Sequence, residues 1–313
     1  MKSILLSIIY IFSLSLIGQS QNSFRILLKD GKKVEFMVED ISQASFSLVT
    51  PPSRLEIKTM DSPNIHAFNL EDIDSIVYIL KPTGTSYYDA DSNQYSSVII
   101  GSQEWMKENL KTTHFADGSP IPHVTDSLIW KSLAESVGDK TAYCDYQNNP
   151  AIGAVYGKLY NYYTTVDPRG LCPAGWHVPT DADWKTLEFY AGVEDDELDL
   201  EGGAVSRGGT NSAGKQLKSY SGWVLQGGGT DKYGFTAMPG GLRDCCNNYP
   251  PNYGAAIFSE QRGRAWFWSS SEETEGSPTG FYAFARMLDA QEKVIYRLLE
   301  NKAYGYSVRC IKD

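Results

Sequence analysis

The chain has 313 residues, with 28 basic and 38 acidic side chains and a formal net charge of −10 at pH 7. This acidic balance argues against a nucleic-acid partner, because phosphate backbones are bound by clustered lysine and arginine. The content of 42 % hydrophobic and 12 % aromatic residues excludes an intrinsically disordered chain and predicts a sizeable core.

The first twenty residues have the organisation of a secretory signal peptide. Lys2 supplies a positive charge, residues 4–17 form an apolar and hydroxyl stretch, and the triplet Gly18-Gln19-Ser20 resembles a cleavage site. The apolar stretch is shorter than the roughly 20 residues that a membrane-spanning helix needs, and no later segment is apolar enough either. Cleavage after residue 20 leaves 27 basic and 38 acidic residues, a net charge of −11. We therefore expect a protein without a transmembrane segment that is secreted, periplasmic or exposed at the cell surface.

Residues 21–80 contain neither cysteine nor tryptophan and are predicted to form a small β-rich module. Two apolar runs, 24–28 and 33–38, flank a Lys-Asp-Gly turn and indicate a β-hairpin. Further strands are predicted within 45–49, 55–58 and 69–79. So short a segment with few aromatic residues builds only a marginal core.

Polar, turn-forming residues 81–86 are predicted to link this module to a larger domain over 87–313, which contains all seven tryptophans and all five cysteines. Tyrosine and leucine at helical spacing predict a helix over 156–165. A second helix is predicted to start at Thr180, a natural N-cap, and to close at Gly192. Short β-prone runs lie at 97–100, 234–238, 265–268, 280–286 and 306–310. Two helices and short strands joined by long loops predict an α+β fold with an antiparallel sheet.

The five cysteines are Cys144, Cys172, Cys245, Cys246 and Cys310. In an exported protein they are expected to form disulfides rather than to bind metal. Five is an odd number, so one thiol stays unpaired or pairs between chains. Because adjacent cysteines rarely bond to each other, we expect Cys144 to pair with Cys245 or Cys246.

Several sequence blocks of the larger domain occur in the order typical of one protein family. They are IIGSQEWMKENL at 99–110, DGSPIP at 117–122, YGKLYN at 156–161, GLCPAGWHVPTDADW at 170–184, GF at 234–235, PGGLRD at 239–244, FWSSS at 267–271 and SVRCIKD at 307–313. Together they resemble the Fibrobacter succinogenes major paralogous domain over about residues 87–313. This is a family of exported bacterial proteins common in Bacteroidetes.

The resemblance implies a C-type-lectin-like fold, related to the formylglycine-generating enzymes, and no established biochemical activity. It also implies a long-range disulfide between Cys172 and Cys310, which ties the second helix region to the closing strand. Formylglycine-generating enzymes use a cysteine pair for copper-dependent oxidation, so Cys245 and Cys246 admit a functional interpretation. A structural role is preferred for them, because adjacent thiols lack the independent placement that such a site needs.

Aromatic and polar loop residues are the candidates for ligand recognition. Trp223, Tyr249 and Tyr253 lie in segments rich in Gly, Asn and Pro and are predicted to be exposed. Arg243 and Asp244 are also binding candidates, with a framework ion pair as the alternative interpretation. Other tryptophans could form a sugar-stacking surface but are assigned to the core, namely Trp105, Trp176, Trp184, Trp266 and Trp268.

The acidic run 194–202 offers oxygen ligands for calcium, but it lacks the spacing of a calcium-binding loop and is more typical of solvated surface. No cofactor and no metal site is therefore expected, with calcium as the alternative. The four histidines are scattered along the chain, at His66, His114, His123 and His177. Since hydrolase, zinc-site and phosphate-loop motifs are also lacking, no catalytic residue is assigned.

These observations predict a non-catalytic binding module of the bacterial cell surface. Its partner is expected to be a glycan or a surface protein, selected by the loops between residues 194 and 264. Two alternatives remain, a structural or adhesin subunit of the cell envelope and an oxidase related to the formylglycine-generating enzymes. The sequence does not determine the oligomeric state.

Overall fold

The computed structural model describes residues 23–30, 32–37, 41–47, 54–59, 65–79, 86–133, 138–203, 207–245, 257–273 and 280–313. The chain forms two compact units, Met1–Thr83 and Gly84–Asp313. The predicted signal peptide and the predicted recognition residues Tyr249 and Tyr253 lie outside the described residues. Within the described part of the chain, no helix is long and apolar enough to cross a membrane.

The described part of the N-terminal unit contains the strands β1 (Ser23–Leu28), β2 (Lys33–Met37), β3 (Ile41–Ser47), β4 (Arg54–Thr59), β5 (Ile65–Asn69) and β6 (Ile73–Ile79). They form two three-stranded antiparallel sheets, with the orders β2-β1-β6 and β3-β4-β5. The predicted hairpin is confirmed, since β1 pairs with β2 across the turn. Ile26, Leu55 and Ile57 are fully buried in one small apolar cluster, as the composition of this segment suggests.

The C-terminal unit combines short helices with antiparallel strands, which confirms the predicted α+β class. Its strands are β7 (Tyr87–Tyr88), β8 (Gln94–Tyr95), β9 (Ser97–Ile100), β10 (Gln103–Met106), β11 (Tyr143–Cys144), β12 (Leu159–Tyr160), β13 (Trp176–His177), β14 (Leu242–Arg243), β15 (Phe258–Ser259), β16 (Arg264–Glu272), β17 (Tyr282–Asp289), β18 (Tyr296–Asn301) and β19 (Ile311–Lys312). One sheet has the order β13-β19-β10-β9 and another the order β16-β17-β18. The pairs β7-β8, β11-β12 and β14-β15 form small two-stranded sheets.

The described α-helices are α1 (Ser127–Ser132), α2 (Pro150–Tyr156), α3 (Tyr162–Thr165), α4 (Asp181–Tyr190) and α5 (Ala213–Leu217). Helix α4 confirms the second predicted helix and its N-cap. The Thr180 hydroxyl accepts a hydrogen bond from Asp183 N at 3.1 Å, and the Asp183 carboxylate accepts one from Thr180 N at 2.8 Å. This capping box fixes the start of the helix, while Trp184 and Leu187 are buried on its inner face.

The continuous helix predicted over 156–165 is wrong, because this segment divides into the end of α2, strand β12 and helix α3. Gly157 ends α2 with a φ of 85°, and a Cβ there would lie 2.6 Å from the Asn109 Cβ. The chain then turns into β12, where Tyr160 N donates to Tyr306 O at 2.8 Å. Long-range pairing, which local spacing does not encode, thus overrides the helical pattern.

Three predicted strand segments are confirmed at least in their main part, namely 97–100, 265–268 and 280–286. Residues 234–238 and 306–310 form only isolated bridges, so the strands predicted there are wrong. Gly234 and Thr236 have φ values of 71° and 56°, which interrupt an extended conformation. Residues 306–310 instead bridge successively to β12 and β16.

Beside a smaller cluster around Trp130, two large aromatic clusters form the core of the C-terminal unit. They contain the tryptophans assigned to the core, each at most 6 % exposed, namely Trp105, Trp176, Trp184, Trp266 and Trp268. The disulfide between Cys172 and Cys310 is confirmed, with the two Cα atoms 6.0 Å apart. Since Cys172 precedes β13 and Cys310 precedes β19, the bridge joins the segments leading into two paired strands.

The predicted pairing of Cys144 with Cys245 or Cys246 is wrong. Cys144 is a free, fully buried thiol in β11, whereas Cys245 is disulfide-bonded. Burial raises the pKa of the Cys144 thiol to about 12, although the Arg243 guanidinium opposes this. The thiol is therefore protonated and unreactive at neutral pH.

A buried ion cluster connects α4 to the β16-β17-β18 sheet. Glu188 is fully buried and lies 2.6 Å from Arg207 Nη2 and 2.5 Å from Arg286 Nε. Asp181 lies 2.8 Å from Arg286 Nη2 and 2.9 Å from Arg297 Nε. Burial disfavours the Asp181 charge, but the guanidinium groups outweigh it and hold the pKa of this carboxyl well below its usual value. These charges belong to the framework of the unit.

Candidate functional site

Trp223, predicted to be exposed, is buried, with only 5 % of its surface accessible. Its Nε1 donates to the Ser219 hydroxyl at 3.0 Å, and the Lys218 ammonium lies 5.1 Å from the ring centroid. The following glycine run packs closely, since a Cβ on Gly229 would lie 2.2 Å from the Lys215 carbonyl oxygen. The prediction is wrong because the glycines permit close backbone packing at this position instead of forming an exposed loop.

Arg243 is also fully buried and is not accessible to a ligand, so its assignment to binding is wrong. Its guanidinium donates to the carbonyl oxygens of Val124 at 2.5 Å and Thr125 at 3.0 Å. It also stacks 4.3 Å from the Trp130 ring centroid. Arg243 therefore belongs to the framework through hydrogen bonds and packing. Asp244 follows β14 and is half-buried.

A cleft of about 450 Å³ opens on the C-terminal unit. We call it the polar cleft, and it is lined by Asp91, Asn93, Lys111, Thr113, Pro150, Gly153, Ala154 and Lys158. These residues come from the turn between β7 and β8, the segment after β10, helix α2 and the residue before β12. None of these residues belongs to the binding residues predicted from the sequence.

One wall of the polar cleft is organised by the Asp91 carboxylate. Asp91 Oδ1 lies 2.5 Å from His114 Nδ1, and its Oδ2 accepts hydrogen bonds from Thr113 N and from the Thr112 hydroxyl. Burial disfavours the charge, but the Thr113 and His114 hydrogen bonds outweigh it, so the pKa of Asp91 lies below its ordinary value. A charged, oriented acceptor is therefore present in this wall at neutral pH.

A second part of the lining carries Lys158, which forms an ion pair with Asp145. Lys158 Nζ lies 2.6 Å from Asp145 Oδ1, and both side chains are largely buried. Helix α2 approaches this pair through Gly153, where a Cβ would lie 1.7 Å from the same Asp145 oxygen. Any larger residue at position 153 would displace the carboxylate. The glycine is thus required by the ion pair that holds Lys158 at the cleft.

Lys111 also lines the polar cleft and is half-buried. Its backbone N–H donates to the Tyr95 hydroxyl at 2.8 Å, and the preceding Leu110 N donates to Val308 O at 2.8 Å. No carboxylate of the described residues forms an ion pair with its ammonium group, in contrast to that of Lys158. The polar cleft therefore offers an anchored but unpaired cation.

A sequence signal for part of this site existed. Lys158 belongs to the YGKLYN block, where a lone cation stands among residues that pack into the core. The sequence does not show that Asp91 and Lys111 approach this lysine, because only the tertiary fold brings these segments together. Sequence reasoning therefore placed the site in the later loops.

Two arginine side chains bind backbone carbonyl oxygens of the acidic run 194–202. Arg207 donates to the carbonyl oxygens of Glu197 and Leu198 at 2.9 and 2.8 Å, and Arg297 donates to the Asp199 carbonyl at 3.1 Å. Across the described ranges, no group of three or more His, Cys, Asp or Glu residues is placed to hold a metal ion. Calcium binding stays an untested prediction.

The fold and the site define a disulfide-bridged α+β domain that presents an open polar cleft. Residues 98–312 match the sequence profile of the Fibrobacter succinogenes major domain, and the chain belongs to this family. Lys111, Thr113, Gly153 and Lys158 of the cleft lie within the matched range, whereas Asp91 and Asn93 precede it. No curated protein and no solved structure shows a significant match to the chain.

Proposed function

We propose that this protein is an exported, non-catalytic binding module of the bacterial cell surface that recognises a glycan in the polar cleft. The proposal includes cleavage of residues 1–20 as a signal peptide and a C-type-lectin-like fold for the family domain. The supporting observation is the cleft, whose lining combines a carboxylate, an amide, a hydroxyl and two ammonium groups. Such groups donate to and accept from sugar hydroxyls.

Preorganisation of these groups supports a binding role. Asp91 is held by His114 and by the Thr113 backbone, and Lys158 is held by Asp145. Side chains that are already ordered lose little conformational entropy when a ligand binds, so more of the contact energy contributes to affinity.

The size of the cleft favours a glycan over a protein surface as the ligand. Its volume of about 450 Å³ falls in the range of roughly 300–1,000 Å³ that is typical of small-molecule sites. A surface protein would need a wider contact area than this concave site offers. If no glycan binds, protein binding or a structural role in the envelope becomes the favoured function.

The test is a glycan array with the secreted full-length mature protein and a variant whose cleft is filled. Ala154 is exposed and lines the cleft, so Ala154→Trp should fill it with little effect on the core. Val155 is exposed on the same helix and is not part of the lining, so Val155→Trp is the matched control. We expect saturable binding to one glycan class by the wild type and Val155→Trp, and at least about 10-fold weaker binding by Ala154→Trp.

Two outcomes would contradict the proposal. A blank array for the wild type would exclude glycan recognition of the tested classes. Equal binding by all three proteins would place the site elsewhere. Thermal unfolding of each protein should accompany the array, so that a folding defect is not taken for loss of binding.

A further inference from the structure

One cation that lines the polar cleft, Lys111, forms no ion pair with the described residues. The Asp91 carboxylate is hydrogen-bonded to His114, and the Lys158 ammonium group is paired with Asp145. Lys111 is half-buried, and among the described residues no carboxylate forms an ion pair with it. An ammonium group that is partly withdrawn from water and unpaired gains more from an anion than from a neutral hydroxyl.

The position of Lys111 suits this role, because both polar groups of the peptide bond that precedes it are hydrogen-bonded. Lys111 N donates to the Tyr95 hydroxyl, and Lys158 N donates to Leu110 O at 2.9 Å. The two lysines are thereby held by adjacent stretches of backbone and line the same cleft. Polar groups beside Lys111 remain available for hydroxyl groups of the same ligand.

We propose that the ligand of the polar cleft is an acidic glycan, a saccharide that bears a carboxylate or sulfate group. Lys111 binds the anionic group, while Thr113, Lys158 and Asp91 bind sugar hydroxyls. This inference rests on the proposed function, because it specifies the class of glycan that the same cleft selects. The protein as a whole is acidic, so the selectivity comes from this local cation and not from the net charge.

The test measures affinities by titration calorimetry with three probes of equal length. They are an oligogalacturonate, its neutral methyl ester and a sulfated galactan oligosaccharide. We expect the wild-type protein to bind at least one acidic probe about 10-fold or more tightly than the neutral ester. This affinity should fall as sodium chloride is raised, because salt screens the ion pair.

Variants at position 111 test the assigned role of the side chain. Lys111→Gln should lose the preference for the acidic probe and most of the salt dependence, whereas Lys111→Arg, which keeps the charge, should retain both. Lys293 is exposed and lies outside the cleft, so Lys293→Gln is the matched control and should behave as the wild type.

The outcomes separate this inference from the proposed function. If a neutral glycan binds as tightly as its acidic counterpart and Ala154→Trp abolishes that binding, the binding module stands and the acidic preference is wrong. Unchanged acidic binding by Lys111→Gln would also overturn the inference. If no probe and no arrayed glycan binds, both proposals fall.

Discussion

Glu300 is a half-buried carboxyl group in β18 that forms no ion pair within the described part of the chain. Burial raises its pKa to about 7, against an opposing hydrogen bond from Tyr306, and the charges of Glu260 and Asp244 add to the increase. The folded protein therefore binds this proton more tightly than the unfolded chain, whose ordinary value is 4.5. Stability should decrease as the pH rises from 4.5 to about 7 and then level off.

The substitution Glu300→Gln should remove this decrease in stability at higher pH. We expect the variant to be about 2 kcal/mol more stable than the wild type at pH 8, with a difference that shrinks towards pH 4.5. Urea unfolding at several pH values measures the effect. Glu292, an exposed carboxylate, gives the control Glu292→Gln, which should follow the wild-type curve. A constant offset between Glu300→Gln and the wild type at all pH values would contradict the prediction.

Gly153 is a second position at which a single substitution should change stability. A methyl group there would lie 1.7 Å from Asp145 Oδ1, so Gly153→Ala must displace the carboxylate that holds Lys158. We expect a loss of roughly 1–3 kcal/mol in the free energy of unfolding, together with weaker ligand binding in the polar cleft. Chemical denaturation and the glycan titration check both effects.

Gly138→Ala is the matched control for this substitution. Apart from its chain neighbours, no atom of the described residues lies within 4 Å of the Cβ that it introduces, so its stability should remain close to that of the wild type. A Gly153→Ala protein with wild-type stability and affinity would show that the Asp145–Lys158 pair does not depend on this close approach.

Among the secondary-structure elements, α4 is held against the β16-β17-β18 sheet by buried ion pairs as well as by apolar packing. Glu188 lies within 2.6 Å of Arg207 and Arg286, and both the carboxylate and the guanidinium groups are almost completely buried. Removing one partner of a buried ion pair leaves an uncompensated charge in a low-dielectric environment.

Glu188→Ala should therefore lower the free energy of unfolding by about 3–5 kcal/mol. The exposed Thr186, on the same helix, provides the control Thr186→Ala, for which we expect a change within about 0.5 kcal/mol. Urea denaturation followed by tryptophan fluorescence measures both. A similar small effect for the two variants would mean that apolar packing alone fastens α4.

The sequence predicted a helix correctly where neighbouring residues alone determine its start. Thr180 and Asp183 start α4 through a capping box that involves neighbouring residues only. The prediction failed over 156–165, where Gly157 breaks the helix because of its contact with Asn109 and Tyr160 pairs with Tyr306. Asn109 and Tyr306 are distant in sequence from this segment, so the spacing of its apolar residues does not indicate these contacts.

At the scale of the molecule, the Cys172–Cys310 bridge spans 138 residues and encloses most of the C-terminal unit. A bridge that closes so long a loop restricts the unfolded chain, which stabilises the folded state by about 4–5 kcal/mol on the chain-entropy model. The variant Cys172→Ala/Cys310→Ala should lose stability of this order in guanidinium unfolding.

Peptide mapping under non-reducing conditions provides the independent check of this bridge. Peptides containing Cys172 and Cys310 should appear linked, whereas the Cys144 peptide should carry a free thiol. Recovery of Cys144 in a disulfide, or a loss below about 1 kcal/mol in the double variant, would contradict the assignment.

The α+β class, the family, the start of α4 and the core position of five tryptophans were predictable from the amino-acid sequence, and the resemblance to the family implied the Cys172–Cys310 bridge. Each of these depends on composition, on a local pattern or on blocks kept in order along the chain. The folded chain alone shows that Trp223 and Arg243 are buried, that Cys144 is unpaired and that Asp91, Lys111 and Lys158 line one cleft. The physical reason is that burial and the meeting of charges depend on contacts between segments far apart in the chain, and such contacts leave no periodic or local signature in the order of residues.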